Sequence, residues 1–149
     1  MANWLFDRGM ERIAKAGIDL STADIRARLV KDTSNVVGTE STARDLDFLG
    51  DCTNRETGNI EVDWTMGNVT IARTGSSPKK ITWDNSDDIT FASVLATQTI
   101  SAMVVFLWVT AVGDSPLICQ ISNAAFPIVA TGNDIKIVFS SNGIVTWQL

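Results

Sequence analysis

The chain has 149 residues, 45% of them apolar, with five Trp, six Phe and a formal net charge of −5. That is one domain's worth of sequence, with too much apolar surface for wholesale disorder and too little length for two ordinary domains. Basic residues are scattered as Arg8, Arg12 and Lys15, then Arg26 and Arg28, then Lys79 and Lys80; without a basic stripe, nucleic acid is not an expected partner.

Residues 1–17 read as a short amphipathic helix. Asn3 is placed to cap it, Phe6, Met10, Ile13 and Ala14 share a face, and Gly17 lies beyond its end. Gly9 in the middle costs about 1 kcal/mol relative to Ala, so this helix needs a surface to lie on. Ser21 and Asp24 resemble a capping box, but Ile25, Ala27 and Leu29 alternate with Arg26 and Arg28, and the alternation favours a strand. Residues 32–59 are rich in Ser, Thr, Asn, Asp and Gly around one apolar patch, Leu46, Phe48 and Leu49. Such a stretch is a polar loop, or an arm that orders against a neighbouring subunit.

Strand signals then follow closely. Ile60, Val62, Trp64 and Met66 alternate with polar residues, Gly67 and Asn68 turn, and Val69, Ile71 and Arg73 run back, which predicts a hairpin. Residues 79–83 form a further short strand, and Asp84, Asn85, Ser86, Asp87 and Asp88 an acidic turn before Ile89 and Phe91. The run from Ile100 to Val112, far short of the roughly 20 residues of a membrane helix, reads as a strand buried on both faces. It should pair with Leu117 to Ser122. At the end, Ile135, Ile137 and Phe139 alternate up to Asn142 and Gly143, and Ile144 to Leu149 return; Asn-Gly between alternating runs is the strongest short-range hairpin signal. The expected fold is a mainly β single domain over residues 1–149, an antiparallel β-sandwich or jelly-roll-like barrel with a short N-terminal helix.

Catalytic chemistry finds few tools. With no His, the triad arrangements and the commonest general base are excluded, and the glycines fall singly at turns rather than in a phosphate-binding loop. Asp84, Asp87 and Asp88 are the one cluster suited to a hard cation, but they lack the ligand spacing of a known calcium loop and read as a solvated turn. Glu61 and Asp63 share a strand face with Thr65, as a solvent-exposed face does. Asn68, Val69 and Thr70 spell a glycosylation sequon that reads as coincidence. Trp64 and Trp83 share strand faces with Ile and Val, and Trp108 falls in the buried strand, so core packing explains them better than a sugar platform. Cys119 reads as a buried small hydrophobe; Cys52, in a polar loop, is free to pair with it, with another chain or with nothing. No cofactor, no metal and no enzymatic activity are expected. No leader or membrane segment is apparent, so a protein made and kept in a cytoplasm is expected.

The layout of the chain resembles that of small virion proteins of tailed bacteriophages, in particular head decoration or cement proteins. The similarity runs through Ala2-Asn3 and the helix, Gly17-Ile18-Asp19-Leu20 leading into Ile25 to Asp32, then Asp47-Phe48-Leu49-Gly50-Asp51, Asp87-Asp88-Ile89-Thr90-Phe91, Ser115-Pro116-Leu117-Ile118, Gly132 to Ile137 and the ending Ser141 to Leu149. Residues 33–44 and 53–59 have no counterpart in it, and Cys52 departs from it. The resemblance implies a β-sandwich that oligomerises, often as a trimer, on the major capsid protein shell of a virion and stiffens it. The alternative is a tail, baseplate or fibre component that contacts host glycans through Phe126, Trp4 and Phe48. For the interface, the apolar groups set in polar sequence are Trp4, Phe6, Met10 and Ile13 of the helix and Leu46, Phe48 and Leu49 of the arm; packing onto the protomer's own sandwich is their equally open alternative.

Overall fold

The computed structural model describes residues 4–15, 19–20, 22–37, 43–54, 64–66, 69–74, 80–85, 88–122, 126–139 and 145–148. Its elements in chain order are β1 (Trp4–Leu5), α1 (Asp7–Ala14), β2 (Ile25–Lys31), β3 (Trp64–Thr65), β4 (Val69–Thr74), β5 (Lys80–Asn85), β6 (Ile89–Phe91), β7 (Thr99–Leu107), β8 (Leu117–Ile121), β9 (Ile128–Val129), β10 (Ile135–Ile137) and β11 (Val145–Gln148), with 3-10 turns at Asn35–Val37, Leu49–Asp51 and Val112–Asp114. Among the described residues the fold is mainly β with one short α-helix, and its antiparallel sheets do not close into a barrel. The largest sheet runs β1-β8-β7-β2-β3, with β9 beside the start of β7; β11-β5-β4 and β10-β6 form two smaller sheets.

β7 is the axis of the largest sheet because it is apolar on both faces: Ile100 to Phe106 are all buried. Met103 and Val105 point into a first core with Ile25, Ala27, Leu29 and Cys119, closed from the other side by Trp83, Ile89, Phe91, Ile135 and Ile137 of the smaller sheets. Ala102, Val104 and Phe106 point the other way, into a second core with Phe6, Val30, Val36, Leu49, Cys52 and Leu117. A strand pattern buried on both faces therefore has a layer on each side. The strand stops at Leu107, short of the expected Val112. There the Leu107 and Trp108 amides donate to Pro116 O (3.0 Å) and Asp24 O (2.8 Å), and the chain turns.

Neither expected hairpin pairs its own two runs among the described residues. β3 joins β2, Arg26 opposite Thr65, while β4 joins β5, so the chain changes sheets between Met66 and Val69. At the end of the chain β10 pairs with β6 and β11 with β5, both antiparallel, and partner numbers fall steadily from Phe91 opposite Ile135 to Lys80 opposite Gln148. The runs flanking Asn142 and Gly143 thus belong to two sheets rather than to one hairpin. Alternation fixes which residues share a face but not which strand lies alongside, and here the β5 and β6 edges compete successfully with the local turn. Gly67, Asn68, Asn142 and Gly143 lie outside the described residues.

The helix also begins later than expected. Its cap position is Phe6, whose side chain makes no capping bond, and Asp7 in the first turn complements the helix dipole. Trp4 and Leu5 are strand instead, opposite Gln120 and Cys119 at the edge of β8. Asn3 and Gly17 lie outside the described residues.

Candidate interaction surface

The N-terminal segment and the polar segment after β2, singled out separately in the sequence, lie side by side. The Asp7 amide donates to Arg44 O at 3.1 Å, and the Arg44 guanidinium returns to the Asp7 carboxylate at 2.6 Å. Arg8 Nε stands 3.4 Å from Asp47, and Arg12 lies over the Phe48 ring, 4.7 Å from its centroid. The segment is in turn stitched to the sheet: Leu49 N donates to Ser115 O (2.8 Å), Leu117 N to Asp47 O (3.0 Å), and Phe48 bridges Pro116. The Asp51 carboxylate accepts from the Phe48 amide at 2.9 Å and closes the turn. Asn35 clips the far end, donating to Asp51 O and accepting from Thr53 N, each at 2.9 Å. In its described parts, residues 32–37 and 43–54, the segment is a loop lying on its own sheet.

Against that geometry the expected interface residues separate. Phe6 and Leu49 are fully buried in the second core and have no surface to offer a partner. Trp4, Met10, Ile13, Leu46 and Phe48 are half-buried; Phe48 lies at the seam between α1 and the loop, under Arg12, while Ile13 leans toward the first core and Leu46 toward the second. A charged border surrounds the seam, with Glu11 held between Arg8 and Lys15, whose hydrogen bonds, Lys15's first, draw its carboxyl below the usual glutamate range.

Two further features had no clear sequence signal. At one end of β7, Arg26 grips Asp24 with two nitrogens (3.0 and 2.7 Å) and lies 4.5 Å from the centroid of the Trp108 ring, so Trp108 sits half-buried under a cation rather than inside the strand. At the other end, exposed Leu95 (50%), on a loop, and Val129 (66%), in β9, belong to two segments joined by Thr97 N to Ala130 O and Ala130 N to Gln98 O. Ser93 and Thr97 there have positive φ, and the Ser93 amide is fixed by Asp134 at 2.8 Å. Neither arrangement follows from periodicity, because each joins residues far apart in the chain.

The remaining candidates are less well furnished. Phe126 is buried in the first core (7% exposed) and presents no ring for a glycan. Asp88 pairs with Lys136 at 2.7 Å and Asp84 is part of β5; Asp87, Glu61 and Asp63 lie outside the described residues. Among the described residues no group of three or more Cys, Asp or Glu is placed to hold a metal ion. Cys52 and Cys119 form no disulfide; both are buried, in different cores, and burial pushes the Cys119 thiol far up. No helix among the described residues is long and apolar enough to cross a membrane. No family model, curated protein or solved structure matches the chain.

Proposed function

We propose that this chain is a non-enzymatic structural protein of a phage virion, a capsid decoration protein that binds the major capsid protein shell as an oligomer, a trimer in the favoured form, and stiffens it. The layout resemblance supplies the class, and one observation supports the site: α1 and the residue 44–49 loop are joined through Asp7–Arg44, Arg8–Asp47 and Arg12–Phe48 into one surface, on which half-buried apolar side chains stand among charged ones. Such a surface suits a protein partner, because apolar side chains set among charged ones are the make-up of an interface core and its polar rim. Attachment at many copies makes a modest contact per subunit sufficient, since each further contact is intramolecular once the first is made.

Deleting residues 1–17 is a poor test, because it removes Phe6 from the second core and β1 from the sheet. Point changes on the half-buried apolar residues of α1 and the loop serve better. Met10→Glu and Leu46→Glu proteins that keep the wild-type circular dichroism and oligomer size should no longer sediment with purified shells, whereas Leu95→Glu should still do so. Retained co-sedimentation of both of these variants would remove this surface from the reading. A map of the intact particle with this chain only on the tail would overturn the decoration role itself.

A further inference from the structure

Trp4 and Gln120 oppose each other across the β1/β8 pairing. Directly opposed residues on one antiparallel pair project to the same face with Cβ atoms about 4.5–5.5 Å apart. Gln120 is fully buried. Neither its Nε2 nor its Oε1 has a hydrogen-bond partner among the described residues, and the same holds for the Trp4 indole Nε1, which is shut off from solvent. Three buried polar atoms without partners therefore fall on one cross-strand pair, although folded chains pair such groups almost without exception.

We infer that the Trp4–Gln120 pair holds an internal water site. Chemistry selects the occupant. The indole N–H and the amide N–H groups donate and Oε1 accepts, so whatever sits there must both accept and donate. Water does both, and a buried water typically makes about three hydrogen bonds. An anion answers the N–H groups but sets negative charge beside Oε1; a cation answers Oε1 alone. The row continues inward through Val104, which opposes Gln120, to buried Arg28, which opposes Val104. Val104 gives the site an apolar wall, and Arg28 stands two strand spacings from Gln120, roughly 10 Å. The site ties β1, only two residues long, to the sheet, and with it the start of α1.

Water-to-protein NOE spectroscopy on the full-length ¹⁵N-labelled protein tests this. Cross-peaks from a long-lived water to the Gln120 side-chain amide and to the Trp4 indole proton are expected. Gln120→Leu should abolish the Trp4 peak, and Trp4→Phe, which keeps the ring's bulk, should leave a water peak on Gln120. If Gln120→Leu fails to fold, the wild-type and Trp4→Phe spectra still decide. Absence of water peaks at both groups overturns the inference, as does a crystal soaked in bromide that shows the halide between them.

Discussion

Gly9 of α1 rests against the carbonyl oxygen of Leu117 so closely that a Cβ there would collide with it and press on Ile118 as well. By propensity alone Gly is a defect in this helix, and Ala would favour it by about 1 kcal/mol. The contact reverses the sign: Leu117 and Ile118 are fully buried backbone in β8 and cannot retreat. Gly9→Ala should therefore destabilise the protein by about 1–3 kcal/mol, as overpacking does, read as a lower denaturant midpoint.

Leu49 distinguishes a loop that belongs to the core from one that merely lies on it. Its side chain is fully buried among Phe6, Val36 and Leu117. Leu49→Ala is expected to cost about 2–5 kcal/mol, while Leu95→Ala, half-exposed at the far end, should stay within about 0.5 kcal/mol. Equal small losses for both, measured by equilibrium unfolding, would mean that the loop is not anchored as described.

Glu11 provides a pH signature. Its carboxyl is held below the usual glutamate range first by Lys15 and then by Arg8. A depressed carboxylate stabilises the fold above its unfolded-state pKa and loses that contribution as pH falls through its own lower midpoint. Carboxyl NMR titration should find the Glu11 midpoint below that of an ordinary Glu. Lys15→Gln should raise it more than Arg8→Gln, and high salt should raise it too, because the pair is exposed and screened.

The cysteines should be silent until the chain opens. Both are buried, and desolvation disfavours the Cys119 thiolate, the reactive form. At pH 8 a thiol-specific chromophoric reagent should modify neither in the native protein and both in denaturant. A fast native reaction would contradict their burial.

The sequence reveals some of this readily and hides the rest for definable reasons. β2, β7 and β8 are legible because each carries an uninterrupted local pattern, and the β7/β8 pairing follows from the short turn between them. Trp83, Cys119 and the core face of β2 are legible for the same reason. The opposite face of β2 misleads: Arg28 alternates as a polar residue, yet it is buried, on the face from which Val30 joins Val36, Leu49 and Cys52 in the second core. The hairpins at 60–73 and 135–149 mislead through their turn residues, since Gly-Asn and Asn-Gly report local backbone freedom and not the partner of the flanking strands. In the candidate surface, the apolar residues are visible from their polar surroundings, but the meeting of α1 with the loop depends on Asp7 finding Arg44 and Arg12 finding Phe48.

The closing pass, in which residues 135–148 answer residues 80–91 strand for strand, has a kinetic consequence. Each of its pairs closes a loop that contains the whole of β7 and β8, the centre of the largest sheet. Loop-closure entropy is then met before the pairing rewards it, which places this chain among slow-folding topologies. Until that pass arrives, β5 has one edge unpaired and the first core lies open on the Trp83 side. The interval between collapse and closure is when the chain is most exposed to pairing with its own copies.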